Sequence, residues 1–380
     1  YDAKAGFHER FVVENKDRYL EGRWFFDEWD KALAAHGLKK QQREQYRLRP
    51  DYKDRLGSFT WDLPAPLHSD NFVGDTACWW LRTKPVEKPL FMVIGFPGPH
   101  PPYDPTPDMA EKYMDREVPL PDVTEDELAD LPPPWVEKRV HDVEVDHDSV
   151  SWKLSPTREE LHRMRAYYYA NVEMIDAQVG RIIDAIEARG NLDNTIIIFT
   201  SDHGDNLGDH GLVQKWAPYE QVTRVPLIVS SPGRFDGGRS VDAMVQLFDI
   251  GSTILEWAGL SAPEHFEAQS LSPALLGEPF SGRDHVFCEQ AADGNMTGAT
   301  YLTMIRSRTH KLVHFQGQPL GQLFDLQSDP MERRNLWDEP TMRNTRDELL
   351  RRMLEFHIDS TVQTRNGRKA VVAPLDAEHY

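Results

Sequence analysis

The chain has 380 residues, enough for one large and one small domain, and 39% hydrophobic content with 17 Phe, 12 Tyr and 10 Trp places it among folded, aromatic-rich proteins. Lys and Arg number 43 against 62 Asp and Glu, and the formal net charge of -19 argues against a nucleic acid or an anionic membrane as partner. The two cysteines, Cys78 and Cys288, exclude a disulfide framework and a four-cysteine zinc site, and no stretch is long and apolar enough to span a bilayer.

Residues 1–70 are charged and aromatic, with helical spacing around Arg23–Leu38, and read as a peripheral cap. The opening Tyr1-Asp-Ala-Lys-Ala-Gly-Phe7 has neither Met nor a signal peptide and reads like the middle of a protein, so it sets no cellular location. A helix is predicted over Asn71–Arg82, with Cys78 inside it. The apolar run Pro89–Phe96 then reads as a strand buried on both faces, stopped by Pro97-Gly-Pro-His-Pro-Pro-Tyr103.

Residues 104–154, rich in Pro, Asp and Glu, read as a long surface excursion. The clearest helix follows, opened by Ser155-Pro156 with a capping box at Thr157 and Glu160 and closed by Gly190. Its apolar face is predicted from Leu161, Met164, Tyr168, Val172, Ile175, Val179, Ile182 and Ile186. Thr195–Thr200 and Pro226–Ser230 read as further buried strands.

This alternation predicts an α/β domain over residues 1–280, built on a mostly parallel sheet with helices on both faces and a ligand site beyond the C-terminal strand edge. Residues 281–380 carry short strand-like runs at Val286–Glu289, Tyr301–Arg306, Lys311–Phe315 and Gln322–Leu326, then a helix over Thr345–His357. They read as a small C-terminal α+β subdomain with an antiparallel sheet.

Chemistry concentrates in Thr200-Ser-Asp-His-Gly-Asp-Asn-Leu-Gly-Asp-His-Gly-Leu-Val-Gln-Lys215. Asp202 and His203, adjacent at a strand end, offer one oxygen and one nitrogen to a cation, while the same string also suits a polar loop with capping aspartates. His100, in proline-rich backbone, is either an anion-binding proton donor or a surface histidine. An anionic substrate would be repelled by the net charge, so a bound cation and local basic groups are expected to reverse the potential in the pocket.

Ser201-Asp-His-Gly-Asp205, Gly208-Asp-His-Gly211, Lys215, Tyr219-Glu220 and Arg224-Val-Pro-Leu-Ile228 together resemble the C-terminal signature of the type I sulfatases in the alkaline phosphatase superfamily. The resemblance extends to Phe96–Pro101, Val245–Gly259, Leu323-Phe-Asp-Leu326, Asp329-Pro-Met-Glu332 and Asn335-Leu336, and covers about Asn71 to His357. It implies an alkaline-phosphatase-like fold in which Asp202 and His203 bind one divalent ion, calcium first, with manganese or zinc open because of His203. It implies that Lys215 holds a sulfate oxygen, that His100 binds the sulfate and protonates the departing alcohol, and that His210 faces the same pocket.

The implied reaction is hydrolysis of a sulfate monoester, a small anionic ester such as a sulfated sugar, through a metal-bound formylglycine. The resemblance implies an Asp-Asp pair, a Cys-x-Pro-x-Arg or Ser-x-Pro-x-Arg segment and a Lys-x-His pair ahead of these residues; among them Asp-Asp, Cys-x-Pro-x-Arg and Lys-x-His do not occur, and Ser-x-Pro-x-Arg occurs at Ser230–Arg234, at the end of the strand-like run Pro226–Ser230. Cys78 is followed by Trp79-Trp80-Leu81-Arg82 and cannot replace that segment, so the nucleophile is expected outside the chain. The loop from Gln214 to Arg224 looks closer to bacterial sulfatases acting on carbohydrates. Two alternatives stand beside this reading: a phosphonate monoester hydrolase or phosphodiesterase of the same superfamily, which shares the Asp-His pairing, and a non-catalytic pseudo-enzyme.

Overall fold

A computed structural model describes residues 6–14, 16, 26–85, 88–296 and 298–371, with side chains to 363. The main helices are α1 (Glu28–Ala35), α2 (Ser69–Thr83), α3 (Pro107–Met114), α4 (Pro133–Glu144), α5 (Arg158–Ala188), α6 (Asp249–Trp257) and α7 (Arg343–Val371). The strands are β1 (Ile197–Thr200), β2 (Leu227–Ser230), β3 (Val286–Ala291), β4 (Tyr301–Arg306), β5 (His310–Phe315) and β6 (Gly321–Asp325). Two compact units are present: one comprises residues 1–123, 138–195 and 207–213, and the other residues 124–137, 196–206 and 214–380.

The first unit is organised by α5. Glu160 N donates to Thr157 Oγ1 at 3.2 Å and Thr157 N donates to Glu160 Oε2 at 2.8 Å, so the capping box satisfies two otherwise orphaned donors. Gly190 closes the helix with φ 71°. Ile182 and Ala185 of α5 pack on Ala77, Cys78 and Leu81 of α2, which buries Cys78. Met164, Ala166 and Tyr167 enter a second core with Leu56, Tyr103, Val150 and Trp152. Val172, placed on the apolar face by spacing, is instead 41% exposed.

Other parts of this unit depart from expectation. Arg23, Trp24 and Phe25 of the helical period lie outside the described residues, and the remainder forms α1, whose Trp29 and Leu33 build a core with Trp61 and Leu67. The 104–154 segment is no surface excursion, because it carries helices and buries Val150 and Trp152 at 3% exposure each. Prolines that prohibit a strand are well placed in the first turn of a helix, and Pro107 opens α3 this way.

The mostly parallel sheet must be corrected. β1 and β2 form a two-stranded antiparallel sheet with Ile197 opposite Ser230 and Thr200 opposite Leu227, and β3–β4–β5–β6 is an antiparallel meander. Parallel pairing needs a crossover of about a dozen residues or more, usually a helix. Between β1 and β2 the chain offers only a three-residue 3-10 turn and the four-residue helix Glu220–Thr223. Pro89–Phe96 pairs with no strand among the described residues. It is extended with one face buried: Met92, Ile94 and Phe96 pack on the α2–α5 core, whereas Phe91 and Val93 are 57% and 64% exposed. A continuous apolar run therefore did not mean burial on both faces.

In the second unit, the meander packs on α7 through Ile305, Leu312, Leu323, Trp337, Leu349 and Met353. Trp135 joins this unit, donating from Nε1 to Gln322 Oε1 at 2.7 Å and meeting Phe315 edge-on. No helix among the described residues is long and apolar enough to cross a membrane.

The closeness of α2 to α5 rests on Gly74, where an added Cβ would lie 2.8 Å from Cβ and Cγ of Gln178, too near for the root of a side chain to yield. We expect Gly74→Ala to destabilise the protein by about 1–3 kcal/mol, the usual cost of overpacking, despite the gain in helix propensity. Urea denaturation followed by tryptophan fluorescence measures this, and an unchanged midpoint would contradict the close packing.

Candidate functional site

β1 ends at Thr200, and the next residues turn on their own side chains. His203 N donates to Asp202 Oδ1 at 2.9 Å, Ser201 Oγ donates to the His203 carbonyl at 2.8 Å, and Gly204 N donates to the Val222 carbonyl at 2.8 Å. An added Cβ on Gly204 would run into the Gln221 carbonyl, so the closeness of this turn to residues 221–222 requires glycine. His203 Nδ1 lies 2.8 Å from the Gly204 carbonyl, which can only accept, so Nδ1 carries a proton and Nε2 points away, 3.6 Å from Asp202 Oδ2.

The expected metal centre is not formed by these residues. Among the described residues, no group of three or more His, Cys, Asp or Glu side chains is disposed to hold a metal ion. Asp202 and His203 supply two donors, and the Asp202 side chain is 85% exposed. Calcium takes about six to eight oxygens and zinc about four ligands, so the assignment of calcium, manganese or zinc to this pair is withdrawn. Adjacency in sequence brought two ligand types together without the others.

Residues 205–206 and 214–216 form a clamp in the second unit. Gln214 N donates to Asp205 Oδ1 at 2.9 Å, while the Gln214 carbonyl accepts from Asn206 N at 3.0 Å and from Asn206 Nδ2 at 2.8 Å. Lys215 is held between Gln214 and Trp216, which adopt φ 59° and 84° without being glycine. Trp216 Nε1 donates to Asp293 Oδ2 at 2.8 Å, and Lys215 Nζ stands 5.6 Å from the Trp216 ring.

The intervening residues 207–213 belong to the first unit. Arg165 donates from Nε to the Leu207 carbonyl at 3.1 Å and pairs with Asp209 at 2.8 Å, and Trp152 Nε1 donates to the Gly211 carbonyl at 3.2 Å. His210 is 3% exposed with φ 56°. His100 also lies in this unit, with Nδ1 2.8 Å from the Pro101 carbonyl and Nε2 3.5 Å from Asp148 Oδ2. Each unit thus carries its own portion of the expected set: His100 and His210 in one, Asp202, His203 and Lys215 in the other.

Buried charges that sequence reasoning missed support both portions. Under the His100 loop, Lys16 Nζ donates to the His100 and Pro102 carbonyls at 3.3 and 3.1 Å and pairs with Asp104. His68 Nε2 lies 3.3 Å from Asp104 Oδ1, and Gly98 N donates to Asp70 Oδ1 at 2.8 Å. Burial would raise the Asp104 carboxyl, but Lys16 and His68 outweigh it and hold it below the usual range. In the second unit, Glu220 N donates to Glu332 Oε2 at 2.7 Å, and Lys311, fully buried, reaches Glu332 at 2.8 Å and Glu220 at 3.3 Å. Burial would raise Glu220 too, yet Lys311 and Arg306 hold it below the usual carboxylate range.

The fold around these loops is that of the alkaline phosphatase superfamily. A phosphonate monoester hydrolase of Agrobacterium radiobacter superposes with a TM-score of 0.72 at 26% identity, covering 87% of this chain and 69% of that one. A second phosphonate monoester hydrolase, from Silicibacter pomeroyi, shares the fold with a TM-score of 0.71 at 24% identity, covering 87% of this chain and 68% of that one. The Sulfatase family model matches residues 6–260, and the chain belongs to the sulfatase family.

A model described as N-sulphoglucosamine sulphohydrolase, C-terminal, matches residues 208–359. An arylsulfatase of Clostridium perfringens is 32% identical over 279 residues, 73% of this chain and 55% of that protein. The multifunctional alkaline phosphatase superfamily protein PehA of Trinickia caryophylli is 29% identical over 296 residues, 73% of this chain and 57% of that protein. The chain therefore spans about half the length of the curated relatives it matches.

The buried Glu220 network sets a stability signature. Lys311→Met leaves Glu332 buried without its cation and is expected to cost about 3–5 kcal/mol at neutral pH. Because the folded-state value of Glu220 is depressed, its stabilisation is complete above the unfolded-state value of about 4.3 and disappears as pH falls through the folded value. The stability gap between wild type and Glu220→Gln should accordingly narrow below about pH 4.3. Denaturant titrations from pH 7 down to acid test both statements, and a gap that widens in acid would refute the second.

Proposed function

We propose that the protein containing this chain hydrolyses a singly charged anionic ester and prefers phosphonate monoesters or phosphodiesters to sulfate monoesters. The observation that carries this reading is the match to a phosphonate monoester hydrolase over 87% of the chain at 26% identity. A sulfate monoester of a sugar is the second reading, favoured by the N-sulphoglucosamine sulphohydrolase model over residues 208–359 and by the resemblance of the Gln214–Arg224 loop to carbohydrate sulfatases.

Under either reading, His100 donates a proton to the leaving oxygen as its bond to phosphorus or sulfur breaks, and Lys215 neutralises a non-bridging oxygen where charge accumulates. Support for these roles comes from the fixed backbone within each unit: the His100 carbonyl is held by Lys16, and Lys215 sits between two anchored left-handed residues. We place the nucleophile, a formylglycine, outside these 380 residues: no Cys-x-Pro-x-Arg string occurs among them, and the Ser-x-Pro-x-Arg string Ser230–Arg234 starts on the last residue of β2, where Ser230 is paired with Ile197.

Turnover by the full-length protein on an aryl phosphonate monoester, an aryl phosphodiester, an aryl sulfate and a sulfated monosaccharide tests the ranking. We expect kcat/KM to be highest for one of the two phosphorus substrates. The reverse order would transfer the assignment to a sulfatase, and no turnover on any of them would leave a non-catalytic member of the family. His100→Ala should lower kcat by about 10²- to 10⁴-fold on the preferred substrate, and Lys215→Ala by about 10²- to 10³-fold.

A further inference from the structure

Asp148 belongs to the short 3-10 turn His147–Ser149 and, with Ser149, forms two successive non-glycine residues in the left-handed region, φ 52° and 63°. Such backbone costs about 1–2 kcal/mol per residue, and a glycine would have reversed the chain without it. The turn is fixed by its surroundings: Ser149 is fully buried, Val150 N donates to the His147 carbonyl at 2.9 Å, and Trp152 N donates to the Asp142 carbonyl at 3.1 Å. Non-glycine strain of this kind, over-determined by packing, gathers where a side chain must be aimed.

The aim is at His100. Its Nδ1 faces the Pro101 carbonyl at 2.8 Å, and a carbonyl only accepts, so Nδ1–H is the donor in either charge state. Nε2 is consequently the nitrogen that gains and loses the second proton, and it lies 3.5 Å from the Asp148 carboxylate. The two side chains are 28% and 13% exposed, so water only partly screens the pair. Three further charged groups meet the loop's backbone or lie beneath it: Lys16 on the His100 carbonyl, Asp70 on Gly98 N, and Asp104 paired to Lys16.

We propose that Asp148 is a positioning residue that acts through His100, orienting the ring and keeping Nε2 protonated until the leaving oxygen of the ester takes that proton. This rests on the reading of His100 given under Proposed function. As the ester bond breaks, the proton passes from Nε2 to the departing oxygen. His100 becomes neutral, and a proton from solvent water restores the imidazolium beside Asp148.

Asp148→Asn removes the charge without changing the shape, and asparagine tolerates a left-handed backbone well, so the turn is retained. In the full-length protein, the pH dependence of diethyl pyrocarbonate modification at His100, followed by peptide mass mapping, reads its protonation without requiring turnover. The midpoint should fall by about one pH unit or more in Asp148→Asn, the scale expected when an opposite charge is removed from within about 4–6 Å. Asp148→Gly, which also accepts the backbone, should show the same fall, and Asp148→Glu should recover part of it.

The alkaline limb of kcat should move to lower pH in the same variants, with KM for the aryl phosphonate within about twofold of wild type. A wild-type midpoint in both Asp148→Asn and Asp148→Gly would overturn the proposal while leaving the functional reading intact. Full activity in His100→Ala would overturn that reading, and the role of Asp148 in catalysis with it.

Discussion

The backbone between Leu207 and Trp216 is the constraint on which the candidate site depends. Leu207, His210, Gln214 and Trp216 all have positive φ in addition to Gly208 and Gly211, and each non-glycine residue there costs about 1–3 kcal/mol. Left alone, the segment would relax to extended conformers. It is held instead by hydrogen bonds whose loss would strand buried polar groups: both Asn206 donors and the Asp205 carboxylate on Gln214, and the Arg165 guanidinium on Leu207 and Asp209. The strain and its restraint fix Lys215 and His210 as local geometry. Several polar residues in this stretch therefore serve the backbone and not the substrate.

The same logic runs beneath the other loops, where it is electrostatic. Asp104 with Lys16 and His68 is a buried cluster and Glu220 with Lys311 and Arg306 a partly buried one, and both would gain little stability over well-packed apolar side chains. Their effect is directional. Lys16 satisfies the His100 and Pro102 carbonyls and the Asp104 carboxylate with one ammonium group, which ties three points of the His100 loop together. Lys311 ties the start of the Glu220 helix to β5, which gives the Lys215 segment a rigid neighbour along the chain.

What could be read from the sequence follows from the range of the interaction involved. The capping box of α5 and the antiparallel meander arise from residues a few positions apart, and spacing locates them closely: Tyr301–Arg306 is identical to β4, and Thr345–His357 lies within α7. Partner choice is non-local, and there the reading failed. An apolar run such as Pro89–Phe96 looks the same whether it is covered on one face or two, so the parallel sheet was inferred where antiparallel pairing and a one-sided segment exist. Asp202 and His203 are adjacent, and adjacency reveals donor types but not how many further donors gather around them. Asp148 gave no signal at all, because charged residues make up 28% of the chain and nothing in one acidic side chain forecasts a left-handed turn aimed at a histidine 48 positions away.

The proposed substrates share one charge and differ in one substituent, and that distinction governs what these residues can select. Sulfate monoesters, phosphonate monoesters and phosphodiesters are all monoanions near neutral pH. Any local positive charge therefore complements all three alike against a chain whose net charge is -19. Charge cannot rank them. The difference lies at the remaining position on the central atom, where sulfate places an oxygen, a phosphonate places carbon and a diester places a second alkoxy group. An oxygen there needs a donor or cation, whereas carbon needs an apolar wall and leaves a buried donor unsatisfied. Discrimination between sulfur and phosphorus esters consequently belongs to whatever surrounds that fourth substituent, and the residues that bind the shared anionic oxygens leave it undetermined.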